Sequence, residues 1–458
     1  MNAKECSLIR AACGAAATMF VLFQSALAAA PQGPVAAGPG ATPPLRVTLA
    51  DVVQRALDNS FRVGEGLARE AAAQASADGR AVAAMPTVNV LGGYTRTNHV
   101  DEFAIAAPGA PPRVIYPDVP DNWRARLDVL WPVYTSGRVG ALSRAASADA
   151  GAAGRDVSTV RADVRLDATR AFWTLAMASE AVNVVEQSLK RVESHLRDVR
   201  NMRDVGLLAP NDVLSVEARR SRERVLLIDA QNARDVADAD LRRATGLPFD
   251  VTIELVPDAD VMLDPLPSVA ALVGEARVKR TERQALELRI QALGDRGDAA
   301  AAGQKPAVAV VGGADYARPN ARIFPRAATW NPSFDVGVNV AWNVWDGGRV
   351  RAEMAEVAAN RRAAEQRLAE FDRVLDFDIR QRRLDLEAAR AAVEAATDGL
   401  SSATEAHRVV TDRFKAGLVS NTEVMDAQVA LVQAHLDRMR ATTAVRLTWA
   451  RLERALGR

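Results

Sequence analysis

The stretch Trp330-Asn-Pro-Ser-Phe-Asp-Val-Gly-Val-Asn-Val-Ala-Trp-Asn-Val-Trp345 decides how the rest of the chain is interpreted. Its residues of even number are almost all apolar: Trp330, Phe334, Val336, Val338, Val340, Trp342 and Val344. Because successive side chains of a strand point to opposite faces, the stretch predicts a strand with one apolar and one polar face. Such a strand fits a tilted crossing of a bilayer, with aromatic residues at the interfaces, or a half-buried strand of a soluble sheet.

The sequence after this strand favours the membrane interpretation. Asp346-Gly-Gly-Arg349 predicts a tight turn, and no proline occurs between Pro332 and the last residue, Arg458. A very long helix is therefore expected directly after the strand, because proline is the strongest helix breaker. A half-buried strand of a soluble sheet seldom leads into a helix of this length.

The composition points to long helices with a small β part. The chain has 458 residues, 25% of them charged and 5% aromatic, which is typical of helical bundles and coiled coils. With 58 basic and 57 acidic residues, no net charge favours nucleic acid as a partner. All four tyrosines and five of the seven tryptophans fall within 86–134 or 306–345, so these windows are the predicted β regions.

Residues 1–28 are predicted to be a secretory signal peptide, with a basic start, the short apolar core Ala11–Phe23 and small residues before the cleavage site. Cys6 and Cys13 would leave with it, so the mature chain would have no thiol or disulfide. Cys13 also raises the question of whether the chain is a lipoprotein, but the residues before it are a poor context for lipidation. Residues 29–47, rich in proline, glycine and alanine, are predicted to be a disordered tail.

The remaining chain is an internal duplication, with one copy at 48–267 and the other at 268–458. Thr48–Leu57 matches Ser268–Arg277 at a shift of 220 positions, and Pro86–Gly93 matches Pro306–Gly313 at the same shift. Farther along the shift is 211, so that Gly137-Arg138 corresponds to Gly348-Arg349. The register changes between paired strands, which predicts loops at 96–122 and 318–329.

Each copy is predicted to contain a helix, two strands, a long helix, a turn and a return helix. The first helix spans about Thr48–Ala84. The strands are expected at 87–95 and 123–134 in the first copy and at 306–316 and 330–345 in the second. The long helices are expected at 138–202 and 349–415, the return helices at 211–245 and 421–456, and a proline-rich linker at 249–267. From Val350 to Leu400, apolar residues recur at alternating steps of three and four, which is a coiled-coil seam.

Four strands cannot close a barrel alone, and an open edge would leave unpaired N–H and C=O groups in lipid. Several chains are therefore needed: two would give a barrel filled by side chains, and three would give one with a lumen. Helices continuing such a cylinder would make a conduit. Two alternatives are an exported trimeric coiled-coil adhesin or stalk with a membrane anchor, and a soluble periplasmic adaptor, although the paired hairpins fit a tunnel better.

The duplicated strand–glycine–arginine–helix junctions, the Gly-Leu turns and the leader resemble the TolC family of outer-membrane efflux proteins over residues 48–458. The resemblance implies a mainly α fold, with long antiparallel coiled-coil helices forming an α-barrel and four strands per chain contributing to a trimeric twelve-stranded transmembrane β-barrel. It also implies an exit duct for drugs or polypeptides in the outer membrane of a Gram-negative bacterium, with the helices in the periplasm. The implied partners are a second and third copy, a periplasmic adaptor and an inner-membrane ABC or proton-driven transporter.

The resemblance implies adaptor-docking tips at Val205-Gly206-Leu207 and Ala416-Gly417-Leu418. These segments are also explained as helix C-caps, which need glycine but not the leucine that follows it. An apolar residue at a solvent-facing tip is easier to explain if a partner covers it, so we favour docking.

The resemblance also places acidic residues of a periplasmic entrance gate at Glu423 and Asp426. Three positions apart on a helix, they share a face, and a trimer would form a ring of six carboxylates that attracts cations. Acidic residues in the first turn of a helix are equally favoured by the helix dipole. Val419 stands where the family's best-known closed entrance has a basic residue, so an arginine lock is not expected there.

Two further groups complete the predicted sites. The strand–helix junctions are Gly137, Arg138, Gly347, Gly348 and Arg349, and the membrane aromatic belts are Trp123, Trp131, Tyr134, Trp330, Trp342 and Trp345. The four histidines have no metal-ligand spacing, and no nucleophile–base pair or phosphate loop is visible in the sequence. We therefore expect a transport protein without a cofactor, and not an enzyme.

Overall fold

The computed structural model describes residues 45–256 and 265–458. The described chain is mainly helical with few strands, which confirms the mainly α fold with four main-sheet strands per chain. The predicted signal peptide and most of the predicted tail lie outside the described residues, as does part of the linker at 249–267.

Four long helices dominate the structure. Two of them have 67 residues, and each of these is followed by a return helix of 36 residues. The described helices are α1 (Leu49–Asn59), α2 (Phe61–Ala81), α3 (Arg138–Asp204), α4 (Pro210–Thr245), α5 (Val269–Lys279), α6 (Thr281–Ala301), α7 (Arg349–Lys415) and α8 (Asn421–Leu456). Short 3₁₀ turns at Val82–Ala84 and Ala302–Gln304 follow α2 and α6.

The described strands form one four-stranded sheet and two small pairs. They are β1 (Leu45–Val47), β2 (Thr87–Arg96), β3 (Phe103–Ala107), β4 (Ala110–Tyr116), β5 (Asp121–Tyr134), β6 (Ile253–Leu255), β7 (Ala307–Arg318) and β8 (Asn331–Ala341). The main sheet has the order β2-β5-β7-β8, with every neighbouring pair antiparallel. The two hairpins of the duplication therefore lie side by side, joined by the β5–β7 ladder.

The single helix predicted at Thr48–Ala84 is wrong, because the chain breaks at Ser60. Ser60 has extended backbone angles, φ −75° and ψ 115°, and its hydroxyl accepts a hydrogen bond from the amide of Val63. Arg280, 220 positions later, has the same ψ of 115° between α5 and α6. A serine that can cap a new helix is compatible with helical periodicity on both sides, so the pattern alone hides the break.

Three other predictions also need correction. The loop predicted at 96–122 contains the β3–β4 hairpin. Residues 45–47 of the predicted tail pair in parallel with 253–255 of the predicted linker, and Val47 is buried there. The strand predicted at 330–345 ends at Ala341, because Ala341 pairs with Ala307, the first residue of β7, and the ladder has no partner beyond it.

The cores lie among the helices. The first is centred on Phe172 and Leu241 of α3 and α4 and covers α1 and the start of α2. The second is centred on Ile379 and Leu386 of α7 and joins α5 to α8. A third core, near the turns that join the long and return helices, contains residues of α3, α4, α7 and α8 and so links the two copies.

Candidate functional site

The main sheet has one apolar and one polar face, and its apolar face is exposed. The strand pairing places apolar residues beside one another across the sheet, such as Leu127 beside Ala314 and Ala314 beside Phe334. Phe334 and Val336 of β8 are 81% and 80% exposed. A soluble protein rarely exposes a contiguous apolar surface of this kind, so the face is suited to lipid or to a partner.

Aromatic residues lie at both ends of that apolar face. At the end farthest from the helices, Tyr94 packs against Trp123 with ring centroids 4.4 Å apart, and Tyr316 stacks on Trp330 at 5.0 Å. At the helical end lie Trp131, Tyr134, Trp342 and Trp345, all exposed. Amphipathic rings at two levels fit the two interfaces of a bilayer, where an apolar body and a polar edge are both satisfied.

The strand–helix junctions are turns that glycine makes possible. Gly137 and Gly348 precede α3 and α7 with φ of +86° and +91°, and Gly347 also has a positive φ. Arg138 and Arg349 are the first residues of the long helices, and Arg349 pairs with Glu353 at 3.5 Å.

Asp346 caps the start of α7. One oxygen of its carboxylate accepts from the amide of Gly348 at 3.0 Å, and the other accepts from the amide of Val350 at 2.9 Å. The bond from Val350, that from Gly348 and the nearby charge of Arg349 lower the pKa of Asp346. In the first copy the hydroxyl of Thr135 plays the corresponding part by accepting from the amide of Val139 at 3.3 Å.

The two tips have the same capping geometry. At the first, the amide of Gly206 donates to Arg203 O and that of Leu207 to Met202 O, both at 2.8 Å. At the second, Gly417 donates to Phe414 O and Leu418 to Arg413 O, both at 2.9 Å. Gly206 and Gly417 have φ of +77° and +74°. This bonding is that of a helix C-cap with a left-handed glycine, which accounts for both glycines.

The C-cap does not account for the leucines. In such caps the residue after the glycine usually makes an apolar contact with the last turn of the helix. Leu207 and Leu418 are instead 73% and 68% exposed, as is their neighbour Val205 at 71%. Each tip therefore ends in apolar surface that the chain itself does not cover.

The two residues predicted for the gate differ in their contacts. Glu423 belongs to a capping box: its Oε1 accepts from the amide of Ser420 at 3.1 Å, and its own amide donates to the hydroxyl of Ser420 at 3.4 Å. Asp426 is exposed on the next turn of α8. Glu423 thus helps to start the helix. Its side chain is nevertheless exposed, as is that of Asp426 one turn later.

Sequence reasoning missed a link between the two tips. Asn421 is the first residue of α8; its amide oxygen lies 2.7 Å from Nε2 of His195, and its amide nitrogen donates to the hydroxyl of Ser215 at 3.0 Å. His195 lies on α3 and Ser215 on α4, so one buried asparagine joins three helices. The sequence gives no indication of this contact, because an asparagine at the start of a helix is ordinarily exposed to solvent.

Two results bear on other kinds of function. Within residues 45–256 and 265–458, no group of three or more His, Cys, Asp or Glu side chains could hold a metal ion. None of the helices in the described part of the chain has an apolar run long enough to cross a membrane.

The chain matches one protein-family model, and its fold is similar to those of several solved structures. The model of the outer membrane efflux protein family matches residues 52–247 and 272–458. The outer-membrane channel OprN is 20% identical, with a TM-score of 0.74 and coverage of 89% of each chain. VceC from Vibrio cholerae is 17% identical, with a TM-score of 0.74 and coverage of 89% of this chain and 96% of that one.

The open state of the MtrE outer-membrane channel from Neisseria gonorrhoeae is 16% identical, with a TM-score of 0.74 and coverage of 89% of this chain and 88% of that one. At these identities the likeness to solved structures establishes the fold. The comparison with curated proteins gave no significant match.

Proposed function

The chain belongs to the outer membrane efflux protein family, and we propose that it is the exit duct of a tripartite export system, acting as a homotrimer. Members of this family are transport channels and not enzymes. The observation that carries the proposal is the four-stranded sheet with an exposed apolar face. Two of its strands, β5 and β8, are each followed by a glycine turn and then by a long helix.

The sheet edges support an assembly of several copies. Within the described residues, β2 and β8 each have one strand partner, so each leaves one edge unpaired. Unpaired backbone groups are costly in lipid, and pairing β8 of one copy with β2 of the next would remove this cost. Three copies would contribute twelve strands and enclose a lumen lined by the polar face.

Exposed apolar residues on the helices support the same assembly. On α4, Leu214, Val225, Ile228 and Val236 are exposed, and on α7, Val374, Phe377 and Leu384 are exposed. Val225 and Ile228 are three positions apart, as are Val374 and Phe377, so each helix presents an apolar stripe. Two different stripes on one chain can pair head to tail with neighbouring copies and close into a ring.

We place the partners at the tips. Leu207, Leu418 and Val205 provide the apolar surface on which a periplasmic adaptor would dock, and the adaptor would connect the duct to an inner-membrane ABC or proton-driven transporter. Glu423 and Asp426 of three copies would form the carboxylate ring at the periplasmic entrance. The cargo would be drugs or polypeptides, delivered by the inner-membrane transporter and released outside the cell.

The proposal is tested by fractionation and conductance. We expect the mature chain to be found in the outer-membrane fraction, to need detergent for extraction, to have the mass of a trimer and to form channels in planar bilayers. A water-soluble monomer without channel activity would contradict it.

A further inference from the structure

The loop between β7 and β8, residues 319–330, lies against the polar face of the sheet. The buried side chain of Asn320 donates to the hydroxyl of Ser333 at 3.0 Å and to Asn331 O at 2.9 Å. Ser333 has the same parity as Asp335, on the polar face of β8. The loop therefore bends inward over that face and does not extend away from the end of the sheet.

Arg322 is the charged anchor of this loop. Its Nη1 donates to Phe334 O at 2.7 Å, and its Nη2 lies 3.2 Å from Oδ1 of Asp335. Arg326 ties the same loop to the other hairpin: its Nη2 donates to Asn122 at 2.9 Å, and its guanidinium carbon lies 5.2 Å from the ring centroid of Tyr116.

A cluster of charges lies beneath the loop, with Arg126 of β5 at its centre. Nε of Arg126 donates to Asp128 at 2.6 Å, and its Nη1 pairs with Asp315 and lies 3.2 Å from Asp335. Gly313 of β7 provides the space for this guanidinium, since a Cβ there would overlap it. Three strands and one loop thus converge on one polar site.

A cavity of about 510 Å³ separates the loop from the sheet. It is lined by Arg124, Arg126, Arg322 and Arg326, with Asp315 as its one acidic lining residue. Even when the adjacent Asp128 and Asp335 are included, arginines outnumber aspartates in the cluster. A site with excess guanidinium charge attracts anionic groups.

We infer that this loop and its arginines form a second selectivity site, at the outer mouth of the duct, which favours anionic permeants and in which Arg322 holds the loop across the lumen. The inference rests on the proposed function, because that function makes the polar face the lining of the lumen. The loop joins the strand ends farthest from the helices, so the site lies at the opposite end of the duct from Glu423 and Asp426. A ring of charged side chains at a constriction selects ions by sign.

The test is the labelling of a cysteine under the loop in intact cells. Leu91 of β2 lines the cavity on the polar face and is replaced by cysteine; Cys6 and Cys13, the two native cysteines, lie in the predicted signal peptide and are left unchanged, and the unsubstituted protein is the labelling blank. Small thiosulfonate reagents, one anionic and one cationic, are added outside the cells, and the labelling rates are measured. This readout does not depend on the state of the periplasmic entrance.

We expect the anionic reagent to react faster than the cationic one at the thiol of the L91C variant. R322A should raise both rates and lower their ratio, because the loop is released and one positive charge is lost. The side chain of Arg322 is 52% exposed, so the variant should fold. R113A, which removes an exposed arginine from β4 at the same end of the sheet, is the matched control and should change neither rate.

A double variant, N320C/S333C, gives an independent check. Its disulfide should hold the loop against the sheet. Labelling of L91C by a third, bulkier thiol reagent should then be slow, because the closed loop leaves it too little room, and reduction of the disulfide should restore the rate. Equal rates for both charges, unaffected by R322A and by the disulfide, would overturn the inference. If V90C on the apolar face were labelled and L91C were not, the proposed function itself would be wrong.

Discussion

Nε2 of His195 lies 2.7 Å from Oδ1 of Asn421 and so connects α3 of the first copy to the start of α8 in the second. Asn421 is only 4% exposed, and its amide nitrogen also bonds Ser215 at 3.0 Å. Around it, Val213 and Val216 of α4 pack in one core with Phe414 and Val424. The two tips are therefore joined near their ends by a partly buried polar contact beside an apolar cluster.

Replacing Asn421 with alanine should loosen both tips. The change removes the hydrogen bonds of Asn421 to His195 and Ser215. Each is worth about 0.5–1.5 kcal/mol net, because water can replace the partner at the half-buried His195 and the exposed Ser215. We expect faster hydrogen exchange at the turns 205–210 and 416–421, with exchange near the sheet unchanged. N211A, an exposed asparagine at the start of α4, is the control and should have wild-type exchange. Unchanged protection at both turns in N421A would show that the contact does not join the tips.

The two roles of Glu423 can be separated by two substitutions. Glutamine can keep the capping box but has no charge, whereas alanine removes both. E423Q should weaken block of the channel by divalent cations and lower stability only by the interaction of the charge with the helix dipole, about 0.3–1 kcal/mol. E423A should weaken block equally and destabilise α8 further, because it also removes the side-chain bond to the amide of Ser420. Block is measured in planar bilayers and stability by denaturant unfolding.

D426N should weaken the same block, since Asp426 is exposed one turn after Glu423. The control is D437N, an exposed carboxylate farther along α8, which should leave the block unchanged. If both E423Q and D426N conduct and are blocked like the wild type, Glu423 is a helix cap only and the entrance lies elsewhere.

The exposed leucines at the tips should matter for binding and not for folding. L207S/L418S should lower crosslinking to the periplasmic adaptor while trimer yield and single-channel conductance stay at wild-type values. The two side chains are largely exposed, so their removal costs the isolated duct little. V278S, at an exposed valine near the end of α5, is the control. Adaptor crosslinking that is equal in all three proteins would argue that the leucines are merely part of the C-caps.

The sequence allowed the strands to be placed because their alternation is strict, and the long helices because no proline interrupts them. The helices predicted at 138–202 and 349–415 extend over Arg138–Asp204 and Arg349–Lys415. The break at Ser60 was not predictable, because the helical periodicity continues across it. The β1–β6 pair was also hidden, since it joins two three-residue segments more than 200 positions apart.

The polar sites likewise divide into those that a sequence pattern predicts and those that it does not. Parity alone places Asp315 and Asp335 on the polar face, and the ladder then brings both to Arg126. The contact of Asn421 with His195, and the inward fold of the loop that carries Arg322, depend on how helices and loops pack in three dimensions. No local pattern encodes these, because residues far apart in sequence determine them.

Introducing a charge into the apolar stripe of α4 should prevent assembly. Ile228 is 63% exposed in the single chain, and in the proposed trimer a neighbouring copy covers it. I228E would bury an unpaired carboxylate in that interface, which is strongly unfavourable. We expect monomer in detergent by light scattering, with far-UV circular dichroism unchanged. D229N, the adjacent exposed residue, should remain trimeric, and a trimeric I228E would exclude this stripe from the interface.

The carboxylate of Asp346 should make the strand–helix junction sensitive to acid. Its pKa is lowered in the folded state, mainly by the amide of Val350, so the stabilisation is complete above the ordinary carboxyl pKa and is lost as the pH falls through the lowered value. At neutral pH, D346A should reduce the hydrogen-exchange protection of residues 348–352 relative to the wild type. In strongly acidic solution the two proteins should converge, because the wild-type carboxyl is then protonated and no longer caps the helix as an anion. D398A, at an exposed aspartate of the same helix, should match the wild type at every pH. A deficit in D346A that persists unchanged at acidic pH would mean that the side chain acts through its shape and not through its charge.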